Sequence, residues 1–117
     1  MRNSFFYLTL DGPKPTYQPG HSHADSLSFE LYVRNKVVLC DAGVGNYIPG
    51  PLRDYCRSTA AHNTLQIKNL NSSEAWGSFR FGRRAEVYGQ KYIRSSGEDT
   101  IQAYHNGYAW LSGKPIH

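Results

Sequence analysis

"LSFELYVRNKVVLCD" (residues 27–41) decides the fold class. Leu27, Phe29, Leu31 and Val33 alternate with Ser28, Glu30 and Tyr32, the period of a half-buried β-strand. "RNK" is a turn signal, with Asn35 able to adopt a positive φ. "VVLCD" (37–41) then returns, so the stretch predicts a β-hairpin. Val33 should pair with Lys36 or Val37, which brings Asp41 back beside Ser28.

Working outward, "SFFYLTL" (4–10) reads as a β-rich, aromatic strand. "DGPKPTYQPG" (11–20), with three prolines and two glycines, reads as loop. Downstream, 42–62 is long and irregular, with three glycines and two prolines. A loop of that length in a small domain is usually functional. "NTLQIK" (63–68) alternates again, and "NLNSSEAWGS" (69–78) is loop. Residues 83–95 read as one or two strands interrupted at Gly89. "TIQAYHN" (100–106) and "YAWLSG" (108–113) read as two more. No stretch has helical periodicity. The expectation is one all-β domain over 1–117, an antiparallel β-sandwich.

Composition narrows the function classes. The chain has 117 residues, 14% aromatic, with net charge +4. It is of globular type and mildly basic, suited to an anionic partner. No run of five or six basic residues occurs, which argues against nucleic acid. No apolar stretch approaches the roughly 20 residues of a membrane span, and the N-terminus lacks a signal-peptide pattern. Cys40 and Cys56 match no zinc-ribbon or CxxC spacing, and whether they form a disulfide is open.

Chemistry should gather where loops meet strand ends. Three places carry suitable residues: His21-Ser-His23-Ala-Asp25 ahead of the hairpin, Asp41 at its return, and His62 after the long loop. In extended backbone His21 and His23 point the same way. Imidazoles and a carboxylate arriving from neighbouring strand ends suit a zinc-type ion. A surface His-x-His with no ligand is the competing reading.

Four blocks, in order, carry a resemblance: "PGHSHADSLSFELYVRNKVVLCDAGVGNY" (19–47), "RDYCRSTAAHNTLQI" (53–67), "SEAWGSFRFGRRAEV" (73–87) and "AYHNGYAWLSGKPIH" (103–117). Together they resemble the C-terminal part of the heparinase II/III-like polysaccharide lyases. The resemblance implies zinc held by His23, Asp41 and His62, with His21 at the catalytic centre and Asp25 orienting an imidazole rather than ligating. It also implies β-elimination on an acidic polysaccharide. A base removes the C5 proton of a uronate and the C4 oxygen leaves, through an enolate-like transition state.

Within that chemistry, Tyr47 and Tyr55 are candidates for a tyrosine contribution, Tyr47 preferred for its open surroundings. Arg53 and Arg57 are candidates for binding a carboxylate or sulfate; for Arg57 the alternative is bracing the long loop against the metal-site aspartate or the backbone. His105 is a cleft-lining candidate or a structural hydrogen-bonding residue. Trp76 and Trp110 are candidates for sugar stacking or for packing.

Family members also carry an N-terminal α/α toroid and further C-terminal strands. The resemblance thus implies a partial sandwich, half an active site, a periplasmic or secreted parent protein, and open sheet edges that favour homo-oligomers. A non-catalytic module that binds acidic glycans in an exopolysaccharide pathway is the alternative function.

Overall fold

The computed structural model describes residues 5–12 and 20–117. Most of the loop expected at 11–20 lies outside the described residues. Among the described residues seven strands form three antiparallel sheets: β1 (Phe6–Leu10), β2 (Phe29–Val33) and β3 (Lys36–Leu39) in the order β1-β2-β3; β4 (Ala75–Trp76) with β5 (Arg80–Phe81); and β6 (Val87–Ser95) with β7 (Glu98–His105). The expected all-β class holds, with one short helix, α1 (Pro51–Cys56), and a 3₁₀ turn (Thr59–Ala61).

The 27–41 hairpin forms as expected. Val33 pairs with Lys36, and the two loop residues Arg34 and Asn35 have φ of 49° and 60°. That is the geometry of a two-residue turn matched to strand twist. The register shifts between Leu31, which faces Leu39, and Tyr32, which faces Val37. The bulge re-aims the end of β3. Asp41 thereby reaches a cleft shared with Ser28 and Phe29.

Two expected strands are absent, and two unexpected ones appear. Residues 63–68 give only an isolated bridge, Ile67 to Leu70, closed by Lys68 and Asn69 at positive φ. Residues 108–113 are turns. Tyr108 is pulled inward instead, and its hydroxyl reaches the carbonyls of Leu65 and Leu70 at 3.1 Å each. The expected loop at 69–78 contains β4. Gly89, read as an interruption, sits in the irregular stretch between Tyr88 and Lys91 of one continuous β6.

The buried centre is unusually polar. Ala24, Leu27, Cys56, Ala85 and Tyr108 are its apolar members, while Arg53, Arg57, Thr59, Ser72, Ser73 and His105 are buried beside them. Such groups must be hydrogen-bonded. The Thr59 hydroxyl donates to the Ala24 carbonyl at 2.6 Å and accepts from the Ser72 N–H at 2.9 Å. The Ser72 hydroxyl also reaches the Ala24 carbonyl, at 3.1 Å. This network ties the His23 segment to the turn ahead of His62. Cys40 is exposed, Cys56 is buried, and both are free thiols.

His105 belongs to the structural frame. It is fully buried; Nδ1 accepts from the Gly107 N–H at 3.1 Å, and Nε2 lies 3.0 Å from His117 Nδ1. The pattern fixes the neutral ring with its hydrogen on Nε2. Gly107 allows the close approach, since a Cβ there would sit 2.6 Å from the Ser72 carbonyl oxygen. Burial first, and then the charge of His117, lower the His105 pKa from 6.5 to about 4.

A base whose folded pKa is depressed contributes stability above its unfolded pKa. That stability is lost as pH falls through 6.5 toward 4. By pH 5 the expected loss is about 2 kcal/mol. Urea unfolding at pH 7 and pH 5 should therefore show a smaller acid-induced drop in His105→Gln than in wild type. Equal drops would disprove the assignment.

Candidate functional site

The residues singled out around 20–62 fall into two adjoining groups. In the buried group, His23, Asp41 and His62 each offer one ligand-type atom, all within 4.8 Å of one another. The rings of His23 and His62 are 5.1 Å apart. His62 Nδ1 is 2.5 Å from Asp41 Oδ2, and His62 Nε2 is 3.0 Å from the Cys56 carbonyl oxygen. Both nitrogens of one ring thus face acceptors. That arrangement is satisfied when Nε2–H donates to the carbonyl and a cation, or a second proton, occupies the Nδ1 side.

The electrostatics of the other two members favour metal binding. Burial, then the charges of His62 and Arg53, lower the His23 pKa to about 4. The ring is therefore neutral at pH 7, as a ligand must be. Burial alone would raise the Asp41 carboxyl. Hydrogen bonds from His62 and the Gly43 N–H, with the nearby histidine charges, hold it below the ordinary carboxylate value instead. Two imidazoles and one carboxylate are a donor set that could hold a borderline divalent metal.

Asn63, which was not singled out from the sequence, locks the group together. Its amide donates to the carbonyls of Phe29 at 3.1 Å and Cys40 at 2.9 Å. The residue following His62 is thereby stitched to β2 and to the residue preceding Asp41. Its place in "AAHNT" was the available signal.

The second group is exposed. Tyr47 Oη is 2.7 Å from His21 Nδ1, with the rings edge-to-face at 5.3 Å. Either atom can donate, according to the tautomer of the ring. Tyr47 also stacks on Phe79 at 6.3 Å with an 8° interplanar angle, and lies 5.1 Å from the Arg53 guanidinium. Phe79 was likewise not singled out: it is distant from Tyr47 in sequence. His21 and His23, expected to face one spot, diverge. His21 turns to Tyr47 at the surface, while His23 is 5% exposed beside His62.

Arg53 and Arg57 turn inward, not toward a substrate surface; they are 0% and 1% exposed. Arg53 donates to the carbonyls of Gly20 at 2.5 Å and Ser78 at 3.0 Å, with a long 3.5 Å approach to His23 Nε2. Arg57 donates to the carbonyls of Ser22 at 3.3 Å, Gly77 at 2.5 Å and Arg80 at 3.2 Å. The carbonyls on either side of His21 are therefore pinned by two guanidinium groups. The same groups hold the β4–β5 hairpin that carries Phe79. Burial, then the neighbouring Arg53 charge, push the Arg57 pKa down.

Removing Arg57 should be costly. Arg57→Ala strands three carbonyls that share a charged donor, an expected loss on the order of 4 kcal/mol. Arg57→Lys should recover little of it, because an ammonium cannot reproduce a planar fork reaching three oxygens. Urea unfolding measures both. Wild-type stability in either variant would show that the brace is dispensable.

His105 stands apart from both groups, with its two nitrogens committed to Gly107 and His117. The Asp25 carboxyl hydrogen-bonds to no imidazole among the described residues. It borders a cleft with Asp11, Glu30 and Asp41, where burial raises its pKa. No helix among the described residues is long and apolar enough to cross a membrane.

No curated protein and no solved structure matches the chain. One family model does, that of the heparinase II/III-like, C-terminal domain, and it covers residues 1–117. A match over the whole length shows the family, and this chain belongs to the heparinase II/III-like C-terminal domains, a polysaccharide lyase family.

Proposed function

We propose that this domain supplies the sandwich side of a lyase active site that cleaves uronate-containing acidic polysaccharide by β-elimination, the remainder of the cleft coming from a helical toroid domain. The observation that carries the reading is the exposed hydrogen bond between Tyr47 Oη and His21 Nδ1, 2.7 Å long. It stands two residues from the buried His23, Asp41 and His62 group.

In the elimination, the C5–H bond breaks, a C4–C5 double bond forms, and the C4–O bond to the leaving sugar breaks. One proton leaves C5 and one is delivered to the departing oxygen. A phenol and an imidazole sharing a hydrogen bond can accept the first and supply the second, provided both are within hydrogen-bond reach of the sugar. Phe79 and Arg53 pack against Tyr47 and hold its ring. Arg53 and Arg57 fix the backbone on either side of His21. Preorganisation of this kind is what the enolate-like transition state requires.

His23, Asp41 and His62 would hold zinc or a similar divalent ion. When bound, it supplies a cross-link between the 42–62 segment, Asp41 just past β3, and the His-x-His segment. Its part is then structural, and His21 stays outside the ligand set.

The test is an assay for unsaturated uronate released from heparin, heparan sulfate and alginate. The 117-residue chain alone is expected to form negligible product, and the domain joined to a toroid of this family is expected to turn over. Robust product from the isolated chain would overturn the half-site reading. Glycan binding without product by the joined protein would overturn the catalytic one and favour a binding module.

A further inference from the structure

We propose that the pocket beside the β4–β5 hairpin is a second sugar-binding site, which takes one ring of a uronate-bearing oligosaccharide. It lies outside the His21–Tyr47 pair and borrows only its substrate class from the reading above. The pocket holds about 260 Å3 and is walled by Asp54, Arg57, Asn71, Ala75, Trp76 and Gly77.

Its chemistry is that of sugar recognition. Trp76 is 50% exposed, offering an aromatic surface to the C–H groups of a pyranose. Trp76 pairs with Arg80 across the hairpin, which puts both side chains on one face. The Arg80 guanidinium lies 4.9 Å from the indole centre. It makes no salt bridge among the described residues, so its fork remains for a carboxylate.

The Asn71 amide oxygen accepts from the Thr59 N–H at 3.0 Å. That bond orients the side chain and leaves its NH2 group to donate. The Asp54 carboxylate has no hydrogen bond or salt bridge among the described residues and can accept from hydroxyls. An aromatic surface, one donor and one acceptor thus line a single ring-sized pocket, and the Arg80 cation stands beside its Trp76 wall. Neutral sugars would use the first three, and a uronate would use all four.

Placement adds to the argument. Phe79, stacked on Tyr47, is three residues from Trp76 along the same hairpin. The connecting backbone spans at most about 11 Å. A polysaccharide meeting the Tyr47–His21 pair therefore has this pocket within the reach of a short run of sugar units. Arg57, through its bonds to the Gly77 and Arg80 carbonyls, fixes the hairpin and the pocket wall together.

The experiment titrates the 117-residue chain with a mannuronate tetrasaccharide and with cellotetraose as the neutral control, followed by indole and amide NMR shifts. Saturable shifts are expected at the Trp76 indole N–H, with tighter binding of the uronate. Trp76→Ala should weaken uronate binding tenfold or more, and Trp76→Phe should recover part of it. Arg80→Gln should remove the preference for uronate over cellotetraose. Asn71→Asp keeps the acceptor for Thr59 and loses the donor, so it should weaken both ligands several-fold.

Undiminished uronate binding in folded Trp76→Ala would overturn the site, as would the absence of saturable uronate binding by the wild type. Binding that depends on Trp76, with no lyase product from the domain joined to a toroid, would remove the catalytic reading and leave this one standing. Lyase product with binding indifferent to Trp76 would do the reverse.

Discussion

His62→Ala is expected to abolish stoichiometric zinc binding and to lower the unfolding temperature of the zinc-loaded domain by on the order of ten degrees. The His62 ring joins three stretches of chain. Nδ1 meets Asp41, Nε2 meets the Cys56 carbonyl, and the ring packs on His23. Alanine removes a ligand and all three contacts at once. An ion held at a hundredfold excess over its dissociation constant stabilises the folded state by about 2.7 kcal/mol, and a domain of this size converts that into a shift of roughly that many degrees.

Elemental analysis and thermal unfolding with and without chelator provide the measurement. The chelator should bring the wild type down toward the mutant and leave the mutant unmoved. Equal zinc occupancy in wild type and His62→Ala would refute the ligand assignment. Asp41→Asn should also lose the ion, because an amide replaces the one anionic donor while keeping its size.

The hairpin at 27–41 was legible because three independent signals agree there: period-two alternation, a turn dipeptide that tolerates positive φ, and a return strand of matching length. At 63–68 only one signal was present, and the reading failed. Residues 63–68 alternate, yet Asn63 commits its amide and carbonyl to β2 and to Cys40, just past β3, and Lys68 and Asn69 turn the chain back within a few residues. Tertiary bonds overrode a pattern too short to resist them. Helix α1 spans six residues, under two turns, so no periodicity can be read from it. The Gly50-Pro51 pair was its one local mark, proline being favoured at the first helical position.

The site was legible in unequal parts. His23, Asp41 and His62 carry the right side-chain chemistry, and the fold brings their ligand-type atoms together. Arg53 and Arg57 show why residue type alone misleads. A guanidinium suits a substrate anion and a set of backbone carbonyls equally well, and only the fold reveals that these two are buried. Phe79 was invisible because stacking between residues 32 apart in sequence leaves no local trace.

The two histidines of the His-x-His segment are expected to separate cleanly on mutation. In a protein that pairs this domain with a toroid, His21→Ala and Tyr47→Phe should each lower turnover by roughly a hundred- to ten-thousandfold, the range of a lost acid–base group. Zinc content and unfolding temperature should stay at wild-type values, because both side chains are at the surface and their mutual hydrogen bond is exposed. His23→Ala should do the opposite first: it removes a buried ring from the donor set, so zinc and stability fall, with turnover lost as a consequence. The double variant His21→Ala/Tyr47→Phe should be scarcely slower than either single one, since two groups that share one proton act as a unit. Tyr47→Phe keeps the ring stacked on Phe79, so its defect isolates the hydroxyl from the packing. Equal loss of zinc from His21→Ala and His23→Ala would make both residues ligands, and wild-type turnover in Tyr47→Phe would take the phenol out of the chemistry.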